Sequence, residues 1–206
     1  MRETGGGVLA AHSKGPHAQR RLNMKVLMIS GSRNPKGQTA RAADALLEGA
    51  TSAGAEAERV FLPRLKIERC RQCQDDGWGV CRSEGRCCIE DDFASIVQKV
   101  RSADALVFAN PVYFGDLSES LRAFLDRLRR TCMHEKGRAG IEGKRAVGVC
   151  VAGGGGGGAP ACCVSMEKIL TVCRVDIVDM ISVRRQNLDA KLPRLRMAGT
   201  WMAGSA

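Results

Sequence analysis

Sulfur offers the most reactive side chains in this sequence. Cys70, Cys73, Cys81, Cys87 and Cys88 lie in one short stretch, with two, seven and five residues separating the first four, and Gly77, Gly79 and Gly85 interrupt it. Thiols on so pliable a loop can close around a tetrahedral zinc or a [4Fe–4S] cluster through Cys70, Cys73, Cys81 and Cys87, with Cys88 to spare, or they can remain free. No histidine joins them: His12 and His17 lie near the N-terminus and His134 in a linker. No Ser, His and Asp are arranged for nucleophilic attack either. The absence of such a catalytic set fits chemistry carried by a bound group, which the protein positions.

The second chemical stretch is Lys25 to Thr39, KVLMISGSRNPKGQT. Apolar Val26 to Ile29 read as a buried parallel strand, which breaks into Gly, Ser, Asn, Pro and Gly before an alanine-rich helix. The first N–H groups of a helix have no internal partner and the peptide dipoles are positive there, so small residues feeding that end can cradle a phosphate. Ser32 and Thr39 add hydroxyls; Arg33 and Lys36 add charge. The glycines, Gly31 and Gly37, do not make a dinucleotide fingerprint, and Gly37-Gln38-Thr39 lacks the lysine of a triphosphate loop. A terminal monophosphate such as that of FMN remains, with an ordinary strand-to-helix loop as the alternative.

Both stretches need a frame. Helical spacing of Ala43, Leu46, Leu47 and Ala50 predicts a helix from Thr39 to about Ala53, followed by a short strand over Glu56 to Phe61. Asp91 or Asp92 is expected to cap a helix bearing Phe93, Ile96, Val97 and Val100. A strand over Ala105 to Ala109 runs into Asn110-Pro111-Val112-Tyr113-Phe114-Gly115, an apolar segment where a loop is usually polar. Ser118 is expected to cap the helix of Leu121, Phe124, Leu125 and Leu128. The strand Ala146 to Val151 enters an unbroken glycine run, Gly153 to Gly158, and a helix around Cys162 to Cys173 leads to a last strand over Ile177 to Val183. Five strands alternating with helices give an α/β, doubly wound parallel sheet with helices on both faces. The loops at Gly31, Pro111 and Gly153 all follow strand C-termini, the edge at which open α/β sheets bind ligands.

Length and composition agree. A chain of 206 residues with 44% hydrophobic residues fits one domain. A net charge of +10 raises nucleic acid, but 4% aromatic residues leave few stacking platforms, so no nucleic-acid partner is expected. No apolar run is long enough to span a membrane. Residues 1–23 read as a flexible leader ahead of a domain over 24–183, and residues 184–206 as a basic C-terminal tail. Without a signal peptide the expected compartment is reducing and cytoplasmic, leaving the cysteines as thiols or ligands.

Taken in order, GSRNPKGQT, DDF before a helix, SADALVFANPVYFGDLSESLRAFLDR and VAGGGGGG resemble the NADPH-dependent FMN reductase and iron–sulfur flavoprotein group of flavodoxin-like proteins. The resemblance spans roughly Met24 to Val183. It implies a five-stranded sheet in the order 2-1-3-4-5, bound FMN, NAD(P)H as hydride donor, and a homodimer or dimer-based tetramer. By the same resemblance Ser32, Arg33, Gln38 and Thr39 would meet the phosphate. Pro111, Val112, Tyr113 and Phe114 would lie along the isoalloxazine, and Gly153, Gly154, Gly155 and Gly156 would approach its pyrimidine edge. The implied activity passes hydride from nicotinamide through FMN to a small acceptor such as a quinone, nitroaromatic, flavin or metal ion; the alternative is a single-electron carrier. Iron–sulfur flavoproteins space their cysteines more compactly than this chain, which has Gln74, Asp75 and Asp76 where a third ligand would fall. The expectation is therefore FMN alone, with free thiols in a lid beside it.

Overall fold

The computed structural model describes residues 24–204, so the expected leader, residues 1–23, lies outside the described residues. Five parallel strands form one sheet: β1 (Lys25–Ser30), β2 (Glu56–Phe61), β3 (Ala105–Pro111), β4 (Arg145–Ala152) and β5 (Asp176–Arg184), in the order β2-β1-β3-β4-β5. The order matches the expected one. Between them run α1 (Gln38–Ser52), α2 (Phe93–Ser102), α3 (Glu119–Thr131) and α4 (Ala159–Val172), and α5 (Leu188–Gly204) follows β5.

Strand alternation divides the core into two layers. Leu27, Ile29, Leu106, Phe108 and Cys150 point to the face covered by α2, α3 and α4, where they meet Ile96, Phe124, Met166 and Leu170. Val26, Met28, Val107, Val147 and Val149 point to the opposite face, against Leu46 and Leu47 of α1 and Leu195 and Met202 of α5. The three central strands are buried on both sides, which is why they read as unbroken apolar runs. The edges β2 and β5 are partly exposed and read less clearly.

The described part of the expected basic tail, residues 184–204, packs onto the domain. Most of the segment is α5, which buries Leu188, Leu195, Gly199, Met202 and Ala203. Two glycines allow the approach: a Cβ added at Gly49 of α1 would lie 1.9 Å from the Arg196 carbonyl oxygen, and one at Gly199 would lie 1.9 Å from that of Leu46. The helices therefore touch backbone to backbone. Gly199→Val should force them apart at a cost of about 1–3 kcal/mol, or roughly 2–12 °C in Tm for a domain of this size. Differential scanning calorimetry on the flavin-loaded protein checks this, and an unchanged Tm would contradict the crossing.

Candidate functional site

Three loops meet at the C-terminal edge of the sheet. The first leaves β1 at Gly31, whose amide donates to the Ala109 carbonyl at 2.9 Å, and Ser30 Oγ accepts the Ser32 amide at 3.1 Å. Asn34 folds the turn by accepting the Lys36 amide through its side chain at 2.9 Å and the Gly37 amide through its carbonyl at 3.3 Å. Gly37 is the N-cap of α1, extended and without a side-chain cap, so the first amides of the helix have no capping side chain. Ser32 and Thr39 are buried beside them, Gln38 is half-buried, and Arg33 and Lys36 are exposed. Neutral hydroxyls inside, cations outside and open helix amides are a donor set suited to a phosphate.

Gly31 also ties this loop to the next. Its carbonyl accepts from Ser118 Oγ at 3.1 Å and Ser120 Oγ at 3.2 Å. The Ser118 amide in turn donates to Asn110 Oδ1 at 3.0 Å, while Asn110 Nδ2 donates to the Pro111 carbonyl at 2.7 Å and to Cys162 Sγ at 3.2 Å. A Cβ at Gly31 would sit 2.3 Å from Ser118 Oγ, so only glycine fits. Ser118 is the N-cap of α3 by position, yet its hydroxyl serves Gly31 and not the helix. Asn110, buried at the end of β3, is the polar hub that sequence reasoning treated merely as a turn residue.

The second loop, after β3, is a small antiparallel turn in which Tyr113 and Asp116 exchange two 3.0 Å backbone hydrogen bonds. It holds Phe114 at φ 50° and fully exposed, with Tyr113 about half-exposed. A non-glycine residue at positive φ is strained, and an exposed phenylalanine there leaves a large apolar ring in water. Below it, burial pushes the Asp116 carboxyl up, but the Leu117 amide, the Arg122 guanidinium and the Ser165 hydroxyl together outweigh that and hold it below the usual carboxylate range.

The third loop, Gly153 to Gly158, turns on a Gly156 to Gly153 hydrogen bond of 2.7 Å, with positive φ at Gly154, Gly156 and Gly158. It abuts the second loop: a Cβ at Gly158 would lie 2.6 Å from Gly115 Cα. Together Val112, Phe114, Gly115 and Ala152 to Gly158 line an open groove of about 440 Å³. The structure thus brings Val112, Phe114 and Gly153 to Gly156 onto one groove. Ser32, Arg33, Gln38 and Thr39 lie outside its lining, on the loop joined to it through Gly31, Ser118 and Asn110.

The cysteine lid, residues 70–88, contributes no residue to the lining of this groove. Cys70, Cys73, Cys81, Cys87 and Cys88 line one cavity of about 20 Å³, with Trp78, Arg127 and Arg130 in its wall, a space for no more than about one water. Among the described residues, no three His, Cys, Asp or Glu side chains are placed to hold a metal ion. The donor chemistry suits zinc or an iron–sulfur cluster, but in this contracted arrangement the thiols do not fit one. Trp78 is flanked by the guanidinium groups of Arg130 and Arg82, at 4.1 and 5.4 Å from the ring centre.

The lid is anchored from beneath by a pair that sequence reasoning missed. The side chains of Arg127 and Asp91 are 1% and 0% exposed. They form a two-pronged ion pair at 2.6 and 2.9 Å, Arg127 also donates to the Glu68 carbonyl at 3.1 Å, and its guanidinium stacks 4.2 Å from the Phe93 ring centre. Asp91 accepts the Glu68 and Phe93 amides as well, at 2.8 and 3.1 Å. Burial pushes the Asp91 carboxyl up, yet Arg127 and the two amides more than offset it and hold the acid below the usual range.

Comparison with known proteins agrees with this fold. The family model described as NADPH-dependent FMN reductase matches residues 24–187. An iron–sulfur flavoprotein of Methanocaldococcus jannaschii is 34% identical over 125 residues, 61% of this chain and 62% of that protein. One from Methanosarcina thermophila is 35% identical over 120 residues, 57% of this chain and 60% of its own length. The chain thus matches less than two thirds of the length of these curated relatives. Among solved structures, an NAD(P)H:quinone oxidoreductase from Methanothermobacter marburgensis superposes with a TM-score of 0.63 at 24% identity, covering 87% of this chain and 95% of that one, a likeness of fold.

Proposed function

The chain belongs to the NADPH-dependent FMN reductase family, and from that premise we propose that it is an FMN-dependent oxidoreductase that takes hydride from NAD(P)H and passes it to a small acceptor such as a quinone, nitroaromatic, flavin or metal ion. The observation that carries this reading is the groove in which the strained aromatic loop and the glycine loop touch at Gly115 and Gly158, beside an uncapped helix start. When bound, FMN would supply the hydride chemistry. The chain's own residues would position it: Ser32, Gln38, Thr39 and the first amides of α1 for the phosphate, Arg33 for charge, and Pro111 to Phe114 for the apolar wall. Gly153 to Gly156 would approach the ring edge, with the amides of Gly153, Gly154 and Gly155 unobstructed by side chains as donors for charge developing there and that of Gly156 already given to the Gly153 carbonyl.

Mixing the purified protein anaerobically with NADH or NADPH in a stopped-flow instrument should bleach the flavin absorbance at a rate that saturates with nicotinamide, and a quinone should restore the colour. Flavin that stays oxidised with both nicotinamides would overturn the proposal. Exposed Phe114 and Tyr113 fit a homodimer in which a second copy covers this loop. Sedimentation should give twice the 22.1 kDa chain mass, and Phe114→Glu should shift the protein to monomer with loss of flavin. A fully active monomer would refute the dimer.

Iron in the lid is the alternative, supported by the likeness to iron–sulfur flavoproteins and not by the thiols as placed, and it would make the protein a single-electron carrier. Anaerobic iron and sulfide assays discriminate: flavin alone predicts below about 0.5 iron per chain, whereas a [4Fe–4S] cluster approaches about four.

A further inference from the structure

We propose that Cys73 and Cys88 form a reversible intramolecular disulfide site in the lid, oxidised by low-molecular-weight disulfides. Their sulfur atoms already lie 3.5 Å apart across a sequence separation of 15. A disulfide bond is about 2.05 Å long, so closure asks for a shift of roughly 1.5 Å. The surrounding backbone can supply that movement. Residues 65–79 form no helix or strand, so no helix turn or sheet ladder must break for Cys73 to shift.

Access singles out the same two thiols. Cys73 and Cys88 are exposed, whereas Cys70, Cys81 and Cys87 are half-buried, and Cys132, Cys150, Cys162, Cys163 and Cys173 are buried in the core. An oxidant in solution therefore meets the close pair first, and reach as well as thiolate character governs exchange. The chemistry balances with glutathione disulfide. One cysteine sulfur attacks it, breaking its S–S bond, forming a mixed disulfide and releasing one glutathione. The second cysteine then attacks the protein-bound sulfur, closing Cys73 to Cys88 and releasing the other. Two electrons pass to the oxidant, and the two thiol protons leave on the two glutathione molecules or to solvent. The pair shares no residue with the lining of the glycine-loop groove, and closing it withdraws Cys73 from any metal that the lid could take up.

The test treats the purified, flavin-loaded full chain with glutathione disulfide without air, counts accessible thiols and identifies cross-links by fragmentation of a non-reduced digest. The expected result is a loss of about two thiols per chain, a Cys73 to Cys88 cross-link, and its reversal by excess reduced glutathione. Cys88→Ser should abolish the cross-link and leave a glutathione adduct on Cys73, with the flavin spectrum unchanged. An unaltered thiol count, cross-links scattered among the five lid cysteines, or glutathione adducts alone in the wild type would overturn the proposal. Iron is assayed on the same sample. Lid thiols shielded by bound iron would overturn the disulfide while supporting a cluster, and bleaching by NAD(P)H tests the flavin reading separately.

Discussion

Asp91→Ala is expected to cost about 3–5 kcal/mol, lowering Tm by roughly 6–20 °C, because it strands the Arg127 guanidinium in a site where both side chains are buried. It also removes the acceptor for the Glu68 and Phe93 amides, so the lid and the start of α2 should loosen together. Replacing both partners, as Asp91→Leu with Arg127→Met, should recover much of the loss, since apolar groups of similar size leave no buried charge. Thermal melts of the two variants check the pair, and equal destabilisation by both would show that the charge itself matters little. The pH dependence has a definite sign. The Asp91 carboxyl is held below its ordinary value in the folded chain, so its stabilisation is complete above an unfolded value of about 4 and fades as the pH falls from there through the lower folded value. The wild type should lose stability across that acid window, and the apolar double variant should lose less.

Ser32→Ala combined with Thr39→Ala should weaken FMN binding at least about tenfold, since each hydrogen bond to a charged group is worth about 1.5–3 kcal/mol. Both hydroxyls are buried beside the uncapped start of α1, so water replaces them poorly. Fluorescence titration of the apoprotein measures the loss, and an unchanged Kd would remove the phosphate from this loop. Thr39→Ser, which keeps the hydroxyl, should retain most of the affinity and so separates lost bonding from lost packing.

Much of the fold was legible because the central strands are buried on both faces and each ends at an unusual loop. Val26 to Ile29, Ala105 to Ala109 and Ala146 to Val151 read as continuous apolar runs for that reason. The C-terminal helix was not legible. Pro193 lies inside it, Lys191, Arg194 and Arg196 break up its apolar pattern, and its docking depends on a glycine contact with a helix some 150 residues earlier. Local patterning carries no such information. Asp91 or Asp92 was read as a cap; Asp92 is the N-cap by position, and a capping role covers the bond of Asp91 to the Phe93 amide but not its bonds to Arg127. The available signal was Arg127 itself, an arginine between Leu125 and Leu128 on the apolar stripe of α3, where a charge needs a buried partner. Ser118 was likewise read as a local helix cap and Asn110 as a turn residue, whereas their side chains join segments far apart in the chain. In the lid, spacing counted the thiols but could not say how far the cavity between them would close.

The shared acceptor at Gly31 has a consequence for how the protein matures. Its two hydroxyl donors lie 87 and 89 residues further along the chain, so a nascent polypeptide that has emerged only through α1 holds the phosphate-loop residues without the partners that fix them. Such contacts form late, because closing a long loop costs entropy before any contact repays it. Cofactor capture should thus follow docking of β3 and α3, making bound flavin a marker of a finished domain and a brake on its unfolding.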